Sequence, residues 1–489
     1  MRVLAILICL AVLLTVPASA EAAESLPADL VVYRFKVPMA AQAQAELALQ
    51  GEVVYSCLRD GQVVAISADN GRIKWTYSGG SKIRGGIRPH GDFLLLGSED
   101  GTVACIRAID GAVIWKQAIP DCVTGLLETD GKYVFAAGRS GSVYAFLLES
   151  GKAVWTTVVN DFIDGGPLQV EGKVYICTTG GTKTGSQLHC FEAASGKLLF
   201  VTQLDGWSSR CMCSAYPVIV VATSGDREGA VWGIDARNGA LLWKYRGDFD
   251  SHWSSLLADG QTIYAGCQGQ VVALEATTGN QKWSWLGKPV ARAVGRKRST
   301  FYPNVVNICS GPEGHICITT YYDIASSGTL EILKASDGDQ VSSISFKGRL
   351  AWGGEVDGQS LVLALDDHLL FYRMPSVIVD GMPLVDPTTP CRILGGKLYA
   401  PLRPILAAMG MEVAWDEANA AALGKRVDMT ISVPSHGSYI MINGKREELT
   451  EETLTTDGRI MVPVRAFVKC LGGEIDWDGT HLQARVRFQ

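Results

Sequence analysis

Between residues 30 and 374 the apolar residues come in short runs, several of them alternating with polar ones, and tight turns rich in Gly, Asp and Asn separate the runs. Residues 51–77 show the unit. Glu52–Cys57, Gln62–Ser67 and Arg72–Tyr77 read as three strands joined by Arg59-Asp60-Gly61 and Asp69-Asn70-Gly71. The second turn is a hairpin signal, because Gly adopts a positive φ without steric cost. Stretches between units, such as Ile83–Ile87 and Thr124–Glu128, supply a further, innermost strand. Each unit is thus four short antiparallel strands, and one such sheet cannot bury both of its faces without neighbours.

The unit repeats. Gly61, Gly71 and Trp75 recur as Gly101/Gly111/Trp115 and Gly141/Gly151/Trp155 at a period of 40. Ser186/Gly196/Phe200, Gly229/Gly239/Trp243 and Gly269/Gly279/Trp283 follow, and Gly328/Gly338 is a seventh copy with Ser342 in the aromatic place. A period near 40 with short strands predicts a β-propeller. The recurring Trp suits packing between sheets, since it is large and flat and its N–H can reach a neighbouring carbonyl. Leu30–Phe35 aligns with Ala240–Tyr245, which sets Tyr33 against Trp243 as an outer strand lacking its own sheet. Leu350–Val356, Leu361–Leu365 and His368–Met374 are three strands lacking a fourth. The N-terminal strand completes that last sheet and removes the exposed edges. The expectation is an all-β eight-bladed propeller, or seven blades if the weak copy at 320–345 is an insertion.

Residues 377–489 carry a different repeat. Pro401-Leu402-Arg403, Gly410 and Trp415-Asp416 recur 62 residues later as Pro463-Val464-Arg465, Gly472 and Trp477-Asp478. Each half reads as a hairpin, a strand, a helix (402–409 and 464–471) ended by Gly, and a strand with Trp-Asp. This predicts a small α+β domain of two tandem repeats. Arg403 and Arg465 read as ties from each helix start to a neighbouring carboxylate or carbonyl, with Asp416 and Asp478 as candidates, or as recognition groups for an anionic or saccharide ligand.

Charge and composition narrow the function. The net charge of −6 argues against general nucleic-acid binding. Arg2, the apolar run Val3–Val16 and Ala18-Ser19-Ala20 form a secretory signal over residues 1–20, short for a membrane span. After cleavage twelve of the 13 Cys remain, with no further segment able to cross a membrane. Export invites disulfides. Yet Cys105 and Cys190 occupy the repeat position of Ala65 and Ala273, as small buried hydrophobes would.

The motifs Gly229-Ala-Val-Trp-Gly-Ile-Asp235 through Trp243 and Val272-Ala-Leu-Glu through Gly279 and Trp283 resemble the pyrroloquinoline-quinone-like repeat family over about residues 30–374. That resemblance implies the propeller. The family includes quinone-dependent alcohol dehydrogenases and cofactor-free propellers such as outer-membrane assembly lipoproteins. Residues 377–489 resemble the copper amine oxidase N-terminal-type, or stalk, domain, which implies a non-catalytic module of exported proteins. The oxidase's Asn-Tyr motif is absent, and the seven His are scattered, so neither a copper site nor any other cofactor is expected.

Candidate contact residues lie where the repeat is broken. Loops entering the innermost strands hold Lys82, Arg84, Arg88, Asp121, Asp161, Asp164, Trp207, Arg210, His252, Trp253, Arg349 and Trp352, a rim that reads either as a partner surface or as solvated. The connection 286–303 is long and holds Lys288, Arg292, Arg296, Lys297 and Arg298, five cations in an acidic protein. From these, Trp207, His252, Trp253, Trp352 and the five cations are the candidate partner-binding set. The sequence thus predicts a non-enzymatic exported scaffold, with the propeller as a platform for a protein or cell-wall polysaccharide and the stalk domain for attachment or presentation. The alternative is a quinone-dependent dehydrogenase. It lacks support in the absence of the adjacent Cys-Cys pair of the alcohol dehydrogenases and of long insertions.

Overall fold

The structure, a computed structural model, describes residues 31–488 except 44, 46, 124, 164–165, 180–184, 226–228, 248–252, 295–296, 312–313, 323–325, 358–359, 385–390, 457 and 480. Residues 1–20, expected to be a secretory signal, lie outside the described residues. Eight four-stranded antiparallel sheets succeed one another over Val32–Arg373. The first holds Ala48–Gln50, Val53–Cys57, Gln62–Ser67 and Ile73–Ser78 in spatial order. The eighth holds Leu350–Asp357, Ser360–Leu365, His368–Arg373 and, as its outer strand, Val32–Pro38 from the other end of the chain. Ala48–Gln50 lies against Leu350–Asp357, so the sheets close into a ring.

Apolar cores alternate with the sheets around this ring. Val54 and Ile66 of the first sheet meet Val362 and Phe371 of the eighth. Val63 and Ala65, on the other face, meet Leu94 and Ile106 of the second. The strands that are buried on both faces consequently read as continuous apolar runs, Val63–Ile66 among them.

The Gly–aromatic repeat is a lock between successive sheets. Trp75 donates its indole N–H to Ala108 O in the second sheet at 3.0 Å. Trp115, Trp155, Trp243 and Trp283 do the same to Leu148, Ala193, Ala276 and Ala335. The Gly of the next turn lies over the ring: a Cβ on Gly111 would fall 2.6 Å from Trp75, and one on Gly279 2.6 Å from Trp243. Both glycines also have φ of +71°. Turn geometry and the flat aromatic beneath it therefore demand the same residue.

Two alignments from sequence are corrected. A Cβ on Gly71 would meet Phe35 and Val37, so Phe35, not Tyr33, takes the aromatic place in the closing strand. Tyr33 is exposed and packs edge-on to Tyr372. Phe35 opposite Phe371 sits beside a register shift just as Trp75 opposite Ala65 does, so Phe35 is the positional counterpart of Trp75 and Tyr33 that of Ile73. The innermost strands also begin later than expected, at Ile87–His90 and Glu128–Thr129. Ahead of them the chain passes too close to its neighbour for a side chain, since a Cβ on Gly85 would lie 2.0 Å from Gly125 O.

Ser342, the missing aromatic, also has an explanation. It stands in the seventh sheet, facing an eighth sheet whose third and fourth strands come from opposite ends of the chain. No Gly turn joins those strands, so there is nothing for an aromatic to support.

The C-terminal residues form the expected α+β unit. One eight-stranded and one four-stranded sheet surround helices α1 (Leu402–Ala408) and α2 (Val464–Cys470). Both helices end at left-handed glycines, Gly410 and Gly472. Leu406, Ile431, Val462 and Phe467 are among the residues of their shared core.

Candidate functional site

Three arginines of the channel rim have carboxylate neighbours. Arg84 pairs with Glu99, Arg88 with Glu128, and Arg349 lies 3.9 Å from Asp366. Asp121 accepts from the backbone N–H and hydroxyl of Ser140, closing a loop. Trp207 is exposed at the start of Trp207–Ala215. Trp253 is not a rim group: it is 2% exposed, in the core between the fifth and sixth sheets and edge-on to Tyr245. Its apolar surface outweighs its loop position. His252 lies outside the described residues, and Trp352 is on Leu350–Asp357 of the eighth sheet.

The cationic connection is a hairpin, not an irregular loop. Val290–Val294 pairs with Lys297–Phe301, with Arg292 opposite Ser299, Ala293 opposite Arg298 and Val294 opposite Lys297. The alternation Val290-Ala-Arg-Ala-Val and the β-branched and aromatic residues of Lys297–Phe301 account for strand pairing. Arg296 is outside the described residues. Lys288 is exposed at the hairpin's base, where its carbonyl accepts the Tyr322 hydroxyl.

A second charged constellation joins the ring to the C-terminal domain, on residues the sequence did not single out. Arg373, at the end of the eighth sheet and nearly buried, lies 3.0 Å from Asp69 and 3.6 Å from Glu52 of the first sheet. His481 brings Nε2 to 3.3 Å from Glu52 and 3.4 Å from Asp69, while its Nδ1 faces Asp478 at 2.6 Å. Arg34 adds a hydrogen bond to Gly479 O. A hydrogen bond with Asp69, together with burial, pushes the Glu52 carboxyl up. Burial pushes Asp69 up too, but Glu52, Arg373 and His481 pull harder and hold it below the usual carboxylate range.

Ligand atoms of Glu52, Asp69 and His481 lie within 4.8 Å of one another, a metal-like grouping. The Arg373 guanidinium already supplies the cation there, so the grouping acts as a fastening. These partners are separated by most of the chain, and no local pattern could reveal them.

No disulfide joins the twelve described cysteines, and eight of them are buried. Burial lifts Cys105 and Cys267 to about 12. Among the described residues, neither Arg403 nor Arg465 is paired with Asp416 or Asp478. Asp416 instead accepts from Ala418 and Asn419, and Asp478 from His481, with Arg485 3.7 Å away.

A closed ring of four-stranded sheets with aromatic locks defines a β-propeller protein. The chain matches the family described as outer membrane protein assembly factor BamB over residues 31–121, 99–186 and 140–367, and it belongs to that family. Residues 378–486 match the copper amine oxidase N-terminal domain.

Among solved structures, BamB from Moraxella catarrhalis is 18% identical with a TM-score of 0.53, covering 70% of this chain and 98% of its own. Sqt1 of Saccharomyces cerevisiae is 11% identical at 0.55, covering 70% and 99%. The quinohemoprotein alcohol dehydrogenase ADHIIG of Pseudomonas putida HK5 is 12% identical at 0.51, covering 70% and 76%. At such identities these likenesses speak for the fold. No curated relative matches the sequence.

Proposed function

We propose that this chain is an exported, non-catalytic scaffold of the cell envelope. The propeller presents a partner-binding surface centred on the hairpin cations Lys288, Arg292, Arg296, Lys297 and Arg298, with Trp207 on the rim. The C-terminal domain attaches or presents that platform. The observation that carries the reading is the Arg373–Asp69–Glu52–His481 fastening, which couples the C-terminal domain to the ring's closing sheet. A stalk held at that seam moves with the propeller. Family membership supports the same reading, since the family description is that of an assembly factor.

The test incubates full-length protein with isolated cell envelope and measures retention at low and high salt. Retention that salt weakens is expected if the contact is between cations and an anionic partner. In parallel, protein with pyrroloquinoline quinone, calcium and an electron acceptor is assayed on alcohols and sugars. Turnover there overturns the reading in favour of the dehydrogenase.

A further inference from the structure

Within the C-terminal domain, α2 and the strand Glu474–Asp478 border a cleft of about 640 Å³. That volume falls in the roughly 300–1,000 Å³ range of small-ligand sites. Leu398, Val464, Ile475 and Trp477 give it an apolar wall. Trp477 is half-buried, and its indole N–H finds no acceptor among the described residues.

The charges around this wall are unbalanced. Glu451 is taken by Lys397, whose hydrogen bond holds the Glu451 carboxyl below the usual range. Glu448 is taken by Arg446 at 2.7 Å. Arg465 and Lys469, four positions apart and so on one face of α2, both line the cleft, are exposed, and have no carboxylate partner among the described residues. Glu474 and Asp476 line a separate smaller cleft that shares Lys469. The internal repeat provides a comparison. Ala407 stands where the second copy has Lys469, and Trp415, the counterpart of Trp477, is 53% exposed. The paired cations therefore belong to the second copy alone.

We infer that this cleft binds an acidic oligosaccharide, a sugar chain whose rings carry carboxylates. A sugar ring offers an apolar C–H face to an aromatic wall and hydroxyls to an unmet indole N–H. Its carboxylate matches the planar fork of Arg465, with Lys469 as a second point charge. The inference rests on the attachment reading above and names the ligand of that attachment.

The experiment is titration calorimetry of the full chain with a galacturonic acid trimer, a neutral maltotriose, and an acidic tetrapeptide of Asp and Glu. The galacturonate trimer is expected to bind, with maltotriose and the peptide each at least about tenfold weaker. R465A, K469A and W477A should each weaken galacturonate binding about tenfold, with R403A unchanged. Arg465 and Lys469 are exposed, so their variants keep the test open if W477A fails to fold. No galacturonate binding, binding indifferent to R465A and K469A, or tighter binding of the peptide overturns the inference. If the full chain is retained on envelope while galacturonate does not bind, the scaffold reading stands and this ligand assignment falls.

Discussion

The indole N–H of Trp243 donates to Ala276 O, 2.8 Å away in the neighbouring sheet, while Gly279 of that same sheet lies over the indole face. Trp243, Ala276 and Gly279 together thus contribute a hydrogen bond, an aromatic contact and a turn. Gly279→Ala should cost about 2–4 kcal/mol, combining left-handed strain with overpacking. Gly260 also has positive φ but has open space around it, so Gly260→Ala should cost only about 1–2 kcal/mol. Trp243→Phe, which leaves the Ala276 carbonyl unmet, should cost about 1–2 kcal/mol. Urea unfolding of the three variants checks the order; equal losses in the two Gly variants would remove the aromatic contact from the account.

The seam carries a pH dependence whose sign follows from Glu52. Its folded pKa is raised, so its contribution is complete below the ordinary carboxylate pKa and is lost as pH rises through the raised value. Asp69, held low, behaves oppositely: its contribution is complete above the ordinary value and is lost as pH falls. Glu52→Gln should therefore abolish the decline in melting temperature on the alkaline side and retain the acid limb. A melting series between about pH 3 and 8 measures both limbs.

Arg373 faces two carboxylates while its own side chain is 7% exposed. Arg373→Met keeps the stem but strands Asp69 and Glu52, and should cost about 2–3 kcal/mol. Arg373→Lys should recover only part, because a point charge cannot serve Asp69, Glu52 and Ser360 as the fork does. Hydrogen exchange should rise in Val32–Pro38 in the Met variant. Unchanged exchange there would separate Arg373 from ring closure.

Charge reversal of Lys288, Arg292, Lys297 and Arg298 together should abolish salt-sensitive retention on envelope. The thermal transition should remain cooperative, which checks that the reversed chain still folds. Retention that survives the reversal would assign the contact to another surface.

Thiol titration checks the cysteines. Native protein should react slowly at Cys57, Cys105, Cys190 and Cys267, whose thiols burial pushes well above the ordinary range. Denatured protein should release all twelve. A shortfall after denaturation without reductant would reveal disulfides.

Much of this was legible in the chain because repetition averages out local ambiguity. Trp75 alone is an unremarkable aromatic; Trp75, Trp115, Trp155, Trp243 and Trp283 at one position identify a packing device. Legibility failed where the repeat was interrupted. In the closing strand, where no Gly turn marks the register, Phe35 rather than Tyr33 holds the aromatic place, and burial, invisible to spacing, took Trp253 from the rim. Arg465 pointed to a plausible carboxylate at Asp478, but His481 had taken it, and only three-dimensional proximity could disclose that competition.

The strand Val32–Pro38 has a consequence for assembly. It emerges before every other element of the ring, yet its hydrogen-bonding partner His368–Arg373 is made more than three hundred residues later. Until then its edge is open to other chains, a period of exposure that lasts through most of synthesis. When it docks, Phe35 settles against Gly71 and the strand pairs along the segment that ends in Arg373, the residue that reaches Glu52 and Asp69 beside His481. Completion of the ring and seating of the C-terminal domain then become one event, so a chain with an incomplete propeller carries a stalk that has nowhere to sit.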